Sequence, residues 1–296
     1  MPLLRTDLWR TAVVEAPMAE IVARGTVEGL PVHWLPDIGS LRFLADPFGI
    51  WRDGRLHVFV EGYDYRNRVG HIDVVTLDER FAVIDRRTVL REAWHLSYPV
   101  VIEDAGEIWM LPESFRSGRL RLYRATRFPD AWEAVEAFAF PVAAIDATPV
   151  FWDGRWWMFF TPPGDRHERQ SVLWAAFAPA LTGPWTLHPA NPLRIDASSG
   201  RPGGTPVVCD GRLMMPMQDC TRTYGGAIRF LGFDHLSPDR VEARVDGGLT
   251  PGRWSEPYGD GLHTLSAAGD VTLVDVKRVS RTPMRLLHDL RRRLRG

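Results

Sequence analysis

Along the 296-residue chain, apolar and polar positions fall in blocks, and the blocks recur. An apolar run is broken by a turn pair. A second apolar run follows and ends on a polar residue. The first copy opens Ala45-Asp46-Pro47-Phe48, turns at Asp53-Gly54 and closes at Glu61. The second opens Ser97-Tyr98-Pro99, turns at Asp104-Ala105-Gly106 and closes at Glu113. The third opens Asp146-Ala147-Thr148-Pro149, turns at Asp153-Gly154 and closes at Thr161. The fourth opens Gly204-Thr205-Pro206, turns at Asp210-Gly211 and closes at Gln218. A fainter fifth opens His263-Thr264, turns at Gly269-Asp270 and continues from Val271 to Val276. In the first four copies the glycine stands seven residues before the closing polar residue.

A short turn pair between two apolar runs predicts a β-hairpin. Third strands are predicted at 71–75, 120–123 and 172–176, and fourth strands at 83–85, 132–135 and 185–187. Four antiparallel strands make one propeller blade. The turn glycines at 54, 106, 154, 211 and 269 are separated by 52, 48, 57 and 58 residues, a period that belongs to repeat architectures. The predicted fold is therefore all-β, a five-bladed β-propeller over residues 1–280 with blades starting near 46, 97, 146, 203 and 263. The first strand of each blade is expected innermost and buried on both faces, which accounts for its unbroken apolar run. The fifth repeat has little strand material after Val276. The strand-like stretch Leu8–Val14, outside the repeats, is expected to complete the last blade and close the ring. Residues 26–44 read as a connector.

Composition agrees with this picture. The 12 Trp and 14 Phe favour strands, and 26 Gly with 23 Pro supply turns. Cys209 and Cys220 are too few for a disulfide scaffold. With no apolar h-region near Met1 and no apolar run of spanning length, a cytoplasmic location is expected. The net charge of −1 divides unevenly: from Lys277 onward eight Lys and Arg face one acid, Asp289, which leaves residues 1–276 at −8. An acidic body excludes a general nucleic-acid binder. Residues 281–296 read as a basic amphipathic helix, with Thr282 and Pro283 at its start and Met284, Leu287, Leu290 and Leu294 on one stripe. Such a helix either docks on the propeller or makes peripheral contact with an anionic membrane, here the inner face.

In a propeller the inner-strand entrances converge on a central funnel. The residues there are Asp46, Ser97, Tyr98, Asp146, Arg201 and His263. Glu61, Glu113, Thr161, Gln218 and Asp219 stand at the second-strand exits. Tyr63, Asp64 and Tyr65 form a loop suited to stacking on a sugar ring and bonding its hydroxyls. Ion pairing between blades, for example of Glu61 or Glu113 with Arg66 or Arg116, is the alternative for the two glutamates. No metal-ligand spacing, phosphate loop or dinucleotide fingerprint occurs.

Asp46-Pro47 and Ile145-Asp146-Ala147-Thr148-Pro149 resemble the carboxylate positions of five-bladed-propeller glycoside hydrolases of the arabinanase, xylosidase and invertase group. That resemblance implies Asp46 as base or nucleophile and Asp146 as the group that tunes pKa and orientation. The group takes its general acid from a Glu in a later blade, where this chain has Thr161 and Gln218-Asp219, so Glu113 becomes the candidate acid. No cofactor is expected; related hydrolases often place a His beside a central ion, and His263 marks where Ca2+ or another ion would lie. A resemblance over nearly the whole chain is to the N-terminal propeller domain of glucosamine inositolphosphorylceramide transferases. It is carried by residues 43–48, His95-Leu96-Ser97-Tyr98-Pro99, Pro112-Glu113-Ser114, Asp146-Ala147-Thr148, residues 188–192, Gln218-Asp219-Cys220 and Gly261-Leu262-His263-Thr264. It implies a glycan-related role and does not transfer the transferase activity; a glycan or glycolipid is the expected ligand, with Glu61, His95 and the funnel residues as binding candidates, and a glycosyltransferase or other sugar-modifying enzyme the expected partner. Two functions stay open: a glycan-active enzyme with a hydrolase-like site, or a non-catalytic glycan-binding module.

Overall fold

A computed structural model of the chain describes residues 5–283. Five antiparallel sheets surround an axis, each ordered from an innermost strand outward. The first holds Arg42–Arg52, Arg55–Asp64, His71–Leu77 and Val83–Leu90. The second holds Ser97–Asp104, Glu107–Glu113, Tyr123–Arg127 and Ala131–Ala134. The third holds Ile145–Trp152, Arg155–Thr161, Val172–Ala178 and Thr186–Leu187, with Arg194–Ile195 also paired to its third strand. In the fourth, Arg201–Pro202 and Val207–Cys209 share the partner Arg212–Asp219, followed by Ala227–Leu236 and Val241–Leu249. The fifth joins both ends of the described chain: Gly261–Ala268, Val271–Ser280, then Thr6–Val14 and Val32–Trp34.

The closure expected of Leu8–Val14 is present. Thr6–Val14 pairs along its whole length with Val271–Ser280, from Thr6 opposite Ser280 to Val14 opposite Thr272. The region read as a connector does more than connect, because Val32–Trp34 forms the outermost strand of this blade. Between the two strands lies a short helix, Met18–Arg24, whose Met18 and Ile21 pack into the interface of the fourth and fifth blades. The third strand of the second blade begins at Tyr123 rather than Leu120; Leu120 and Leu122 are buried core residues outside it. Among the described residues no helix is long and apolar enough to cross a membrane. Of the tail read as a basic helix, residues 284–296 lie outside the described residues.

The turn pairs behave as their chemistry dictates. Asp53-Gly54, Ala105-Gly106, Asp153-Gly154 and Asp210-Gly211 all take positive φ at both positions, the requirement of the tight hairpin turn that suits twisted strands. Each junction between neighbouring blades is filled by its own apolar cluster, for example Trp157, Phe159, Leu213, Met215 and Phe233 between the third and fourth. Burying one such side chain contributes roughly 1.5–3 kcal/mol, so five junctions hold the ring.

The inner strands are not regular throughout. In four blades the pairing with the second strand slips near the entrance: between Ala45 and Phe48, Ser97 and Val100, Ile145 and Thr148, and Leu262 and Leu265. The extra residues at these bulges are Asp46, Tyr98, Asp146 and His263, each with its successor. Asp46, Tyr98 and Asp146 adopt φ of 51°, 47° and 47°. L-residues enter this left-handed region at a cost, and bulges of this kind re-aim side chains beside functional sites. The fourth blade meets the same need differently. Its inner strand breaks at Gly203-Gly204, and Gly204 lies so close to Leu265 that a Cβ there would stand 1.8 Å from the Leu265 carbonyl oxygen.

Candidate active site

The bulges bring residues from different blades to the axis. Asp46 is buried, and its backbone N–H and both side-chain oxygens are engaged. Its backbone N–H donates to Asp275 Oδ2 at 2.8 Å. Its Oδ2 accepts the Tyr98 N–H at 3.2 Å and its Oδ1 the Thr264 hydroxyl at 3.0 Å. His263 Nε2 lies 3.4 Å from Oδ1. Burial, with the Asp275 and Asp146 charges, pushes the Asp46 carboxyl up to about 6, although His263 pulls the other way.

His263 is held between two carboxylates. Its Nδ1–H donates to Asp275 Oδ1 at 2.7 Å, and its ring stacks on Trp9 at 3.6 Å between centroids. Burial alone would strip its proton; Asp275 and Asp46 outweigh burial and raise its pKa. Asp275 is fully buried and accepts four N–H groups: those of Asp46, His263 and Thr264 in the backbone, and the His263 ring. The ligand atoms of Asp46, His263 and Asp275 lie within 4.8 Å of one another. As arranged they bind one another rather than a cation: the His263 Nδ1–H is spent on Asp275 Oδ1, which also takes the backbone N–H groups of His263 and Thr264.

A second group lies across the axis. Asp146 Oδ2 accepts Arg201 Nε at 2.7 Å and Gln218 Nε2 at 2.8 Å. The same guanidinium reaches Glu113 at 3.8 Å and donates to the Arg169 carbonyl at 2.8 Å. Burial raises the Glu113 carboxyl well above the usual carboxylate range. The neighbouring Asp146 carboxylate, within proton-sharing reach, raises it further against the pull of Arg201. The Glu61 carboxyl is likewise raised by burial and by the Asp46 and Glu113 charges. Three buried acids with raised pKa values thus stand around one axis, the electrostatic pattern of a site that keeps a proton on one carboxyl and removes it from another.

Glu61 pairs with His95, whose Nε2 is 3.4 Å away, and not with Arg66. The His95 ring accepts the Gly70 N–H on Nδ1, so its single proton sits on Nε2 and points to Glu61. Burial and Arg116 lower the His95 pKa to about 4. Arg66 is taken by Asp64 at 2.7 Å, and Arg116 lies over Phe115. Asp64 also binds Arg42. Tyr63 stacks on Phe43 at 4.9 Å, and the Tyr65 hydroxyl donates to the Asp7 carbonyl at 2.8 Å. The Tyr98 hydroxyl is buried in the ring, receiving the Gly204 N–H at 2.6 Å and meeting Thr148 at 3.0 Å. Asp219 is bound by Arg229 and Thr221. Ser97 is buried opposite Glu113. Asp46, Glu61, Glu113, Asp146, Arg201, Gln218 and His263 thus come together, while Asp64 and Asp219 are occupied by nearby side chains and the Tyr98 hydroxyl by Thr148 and Gly204 of other blades.

The sequence reading missed Asp275, Trp9, Tyr224 and Lys277. Asp275 had a signal: a lone charge inside the apolar run Val271–Val276. Lys277 is fully buried, packs against Trp9 and donates to the Tyr224 carbonyl. Tyr224 in turn lies under the Arg201 guanidinium at 5.1 Å.

A sequence model of the N-terminal region of glucosamine inositolphosphorylceramide transferase 1 matches residues 34–250. The chain belongs to this family. A member from Oryza sativa subsp. japonica is 34% identical over 251 residues, covering 80% of this chain and 33% of that protein. One from Arabidopsis thaliana is 31% identical over 296 residues, covering 94% and 37%. The chain therefore spans about a third of the length of the curated transferases it matches. Among solved structures, the GH43_1 enzyme from Xanthomonas citri complexed with xylose superposes with a TM-score of 0.59 at 12% identity, over 89% of this chain and 91% of that one. A family 117 glycoside hydrolase of Zobellia galactanivorans gives 0.55 at 13% identity, over 84% and 90%. These two show that the chain shares their fold.

One consequence concerns stability in this member of the family. Glu61 has a higher pKa folded than unfolded, so the folded state holds the proton more tightly. Its contribution falls as pH rises from the ordinary value of 4.5 and is fully lost above the raised one. Glu61→Gln keeps an acceptor for the His95 N–H and removes the buried charge. It is expected to stabilise the protein by about 1–3 kcal/mol at pH 8 and to change little at pH 4.5. Denaturant titrations at the two pH values check this, and a destabilised variant at pH 8 contradicts it.

Proposed function

We propose that the propeller is a carbohydrate-active site that binds a glycan or glycolipid headgroup at the axis and cleaves or transfers a glycosidic bond. The observation that carries this reading is the set of buried acids around the axis, Asp46 at an inner-strand entrance and Glu61 and Glu113 at equivalent second-strand exits, each with its pKa raised, beside the Arg201-bound Asp146. Asp46 takes the proton of an attacking water or acceptor hydroxyl. Glu113 gives its proton to the departing glycosidic oxygen, so the bond to the anomeric carbon breaks as the new one forms. Asp146, fixed by Arg201 and Gln218, keeps the Glu113 proton in place. Gln218 Oε1 and Thr161 Oγ1 are buried without a partner among the described residues, and sugar hydroxyls supply what such atoms need.

The test is turnover by the full chain of a panel of oligosaccharides and glycolipids, with pH dependence. The rate should rise as Asp46 ionises, near pH 6, and fall where Glu113 loses its proton at higher pH. Glu113→Gln should lose most activity on natural linkages yet keep much of it on substrates with an activated aryl leaving group, which needs no protonation. Saturable binding without any product, across the panel, would reject catalysis. That outcome matches the second reading, a binding module. It is favoured by one observation: the second-strand exits of the third and fourth blades carry Thr161 and Gln218, where the resembling hydrolases place a Glu.

A further inference from the structure

Beside the axial site, a cavity of about 270 Å3 opens between the fifth blade and the first. Its walls include Trp9, Arg10, Ser40, Arg42, Tyr258 and Arg278. Three arginines meet there. Arg42 is paired with Asp64 at 3.1 Å. The side chains of Arg10 and Arg278 make no hydrogen bond or ion pair among the described residues. Both are instead held against one aromatic ring: the Arg10 guanidinium is 5.9 Å and the Arg278 guanidinium 5.2 Å from the centroid of Tyr258. Arg10 also lies 5.5 Å from Trp34. The Arg10 Nε is buried with no acceptor.

This arrangement is unfavourable without a counterion. Two like charges share one ring, and a buried guanidinium donor has nothing to bind. Cation–π contact holds the guanidinium groups beside the ring while leaving their N–H groups without protein acceptors, the condition for recognition of an oxyanion. The one carboxylate on the wall, Asp37, is exposed and accepts the Gly39 N–H of its own turn. Strand positions place the cavity on the face of the axial site. Trp9 lines it and stacks on His263, which in turn touches Asp46.

We infer that this cavity binds a phosphoryl group, with Arg10 and Arg278 as its ligands and Arg42 at its rim. The chemistry is shared by a soluble sugar phosphate and by the phosphodiester of a lipid headgroup. The inference concerns binding and stands whether or not the axial carboxyls perform catalysis.

The test uses the full chain and three probes: inorganic phosphate, inositol 1-phosphate, and vesicles of phosphatidylcholine with or without phosphatidylinositol. Calorimetry or a thermal-shift titration reads the first two, and co-sedimentation reads the third. Saturable binding of at least one probe is expected, weakened about tenfold or more by Arg10→Gln and by Arg278→Gln. Arg80→Gln, an exposed arginine elsewhere on the first blade, should leave it unchanged. Melting temperature reports whether each variant is folded, and Arg10→Lys, which keeps charge but not the fork, should recover only part of the affinity. Preference for inositol 1-phosphate over phosphate identifies a soluble sugar phosphate. Binding confined to phosphatidylinositol vesicles and lost in Arg10→Gln identifies a lipid headgroup. No saturable binding of any probe, or equal losses in Arg80→Gln and Arg10→Gln, overturns the inference.

Discussion

Asp275→Ala is expected to cost about 3–5 kcal/mol of folding stability, the largest loss from any single change at the axis. The physical reason is the number of groups that depend on one carboxylate. Asp275 is fully buried and takes N–H groups from Asp46, His263 and Thr264, which lie on two neighbouring inner strands, together with the His263 ring. Alanine leaves four donors without an acceptor in a place water cannot reach, and each unmade bond costs about 1–3 kcal/mol before relaxation. It also removes the largest charge that raises the His263 pKa, which should therefore fall because burial then acts against fewer opposing carboxylates. Asp275→Asn, which keeps one acceptor oxygen, should lie between wild type and alanine. Guanidinium denaturation measures the stabilities, and NMR titration of the imidazole measures the pKa. A loss below about 1 kcal/mol for alanine would show that the bulges hold themselves.

Asp46→Asn is expected to lower turnover roughly 100- to 10,000-fold while leaving stability within about 1 kcal/mol of wild type. The separation of the two effects follows from what the side chain does. Its oxygens accept from the Tyr98 N–H and the Thr264 hydroxyl, and an amide keeps one of these bonds. Folding gains from loss of a buried charge about what it loses from the weakened contact with His263. Chemistry gains nothing, since an amide cannot take a proton near neutral pH. For the wild type, activity should decline as pH falls through about 6, where Asp46 becomes protonated. Ligand affinity measured by calorimetry should stay within a fewfold in Asp46→Asn if the residue is a base. Affinity that collapses with unchanged folding would mark it instead as a binding group.

The parts of the fold that could be read from the sequence are those fixed by near neighbours. The Asp-Gly turns each specify a hairpin through the dihedrals of two residues, and the apolar runs beside them specify the inner strands. Closure by Leu8–Val14 was legible for a different reason, since the fifth repeat lacked strand material and only one unclaimed stretch could supply it. Val32–Trp34 was not legible because three residues carry no periodicity of their own; they are a strand only because Thr6–Val14 presents an edge. The candidate site divides in the same way. Asp46, Asp146 and His263 stand out by their place at the strand entrances. The pairings that give them their properties do not, because Arg201 reaches Asp146 across 55 positions and Asp275 reaches Asp46 across 229. Asp64 and Asp219 illustrate the converse. Each has the composition of a ligand residue, but a nearby arginine (Arg66 and Arg229) already occupies it.

The fifth blade has a consequence for the order in which the ring forms during synthesis. Its third strand, Thr6–Val14, is made first, yet its partner Val271–Ser280 is made some 260 residues later. Until then the nascent chain carries a strand with no edge to join and four blades in an open arc. The ribosome must release residues up to Ser280 before any of the five junctions at the axis is under full constraint. Contacts this distant in sequence slow folding, because loop closure is entropically opposed before any contact is gained. The Asp46–Asp275 bond is among them, so the Asp275 side of the axial cluster cannot form until residues 271–280 have been made, whereas the Asp146–Arg201 pair needs only the third and fourth blades.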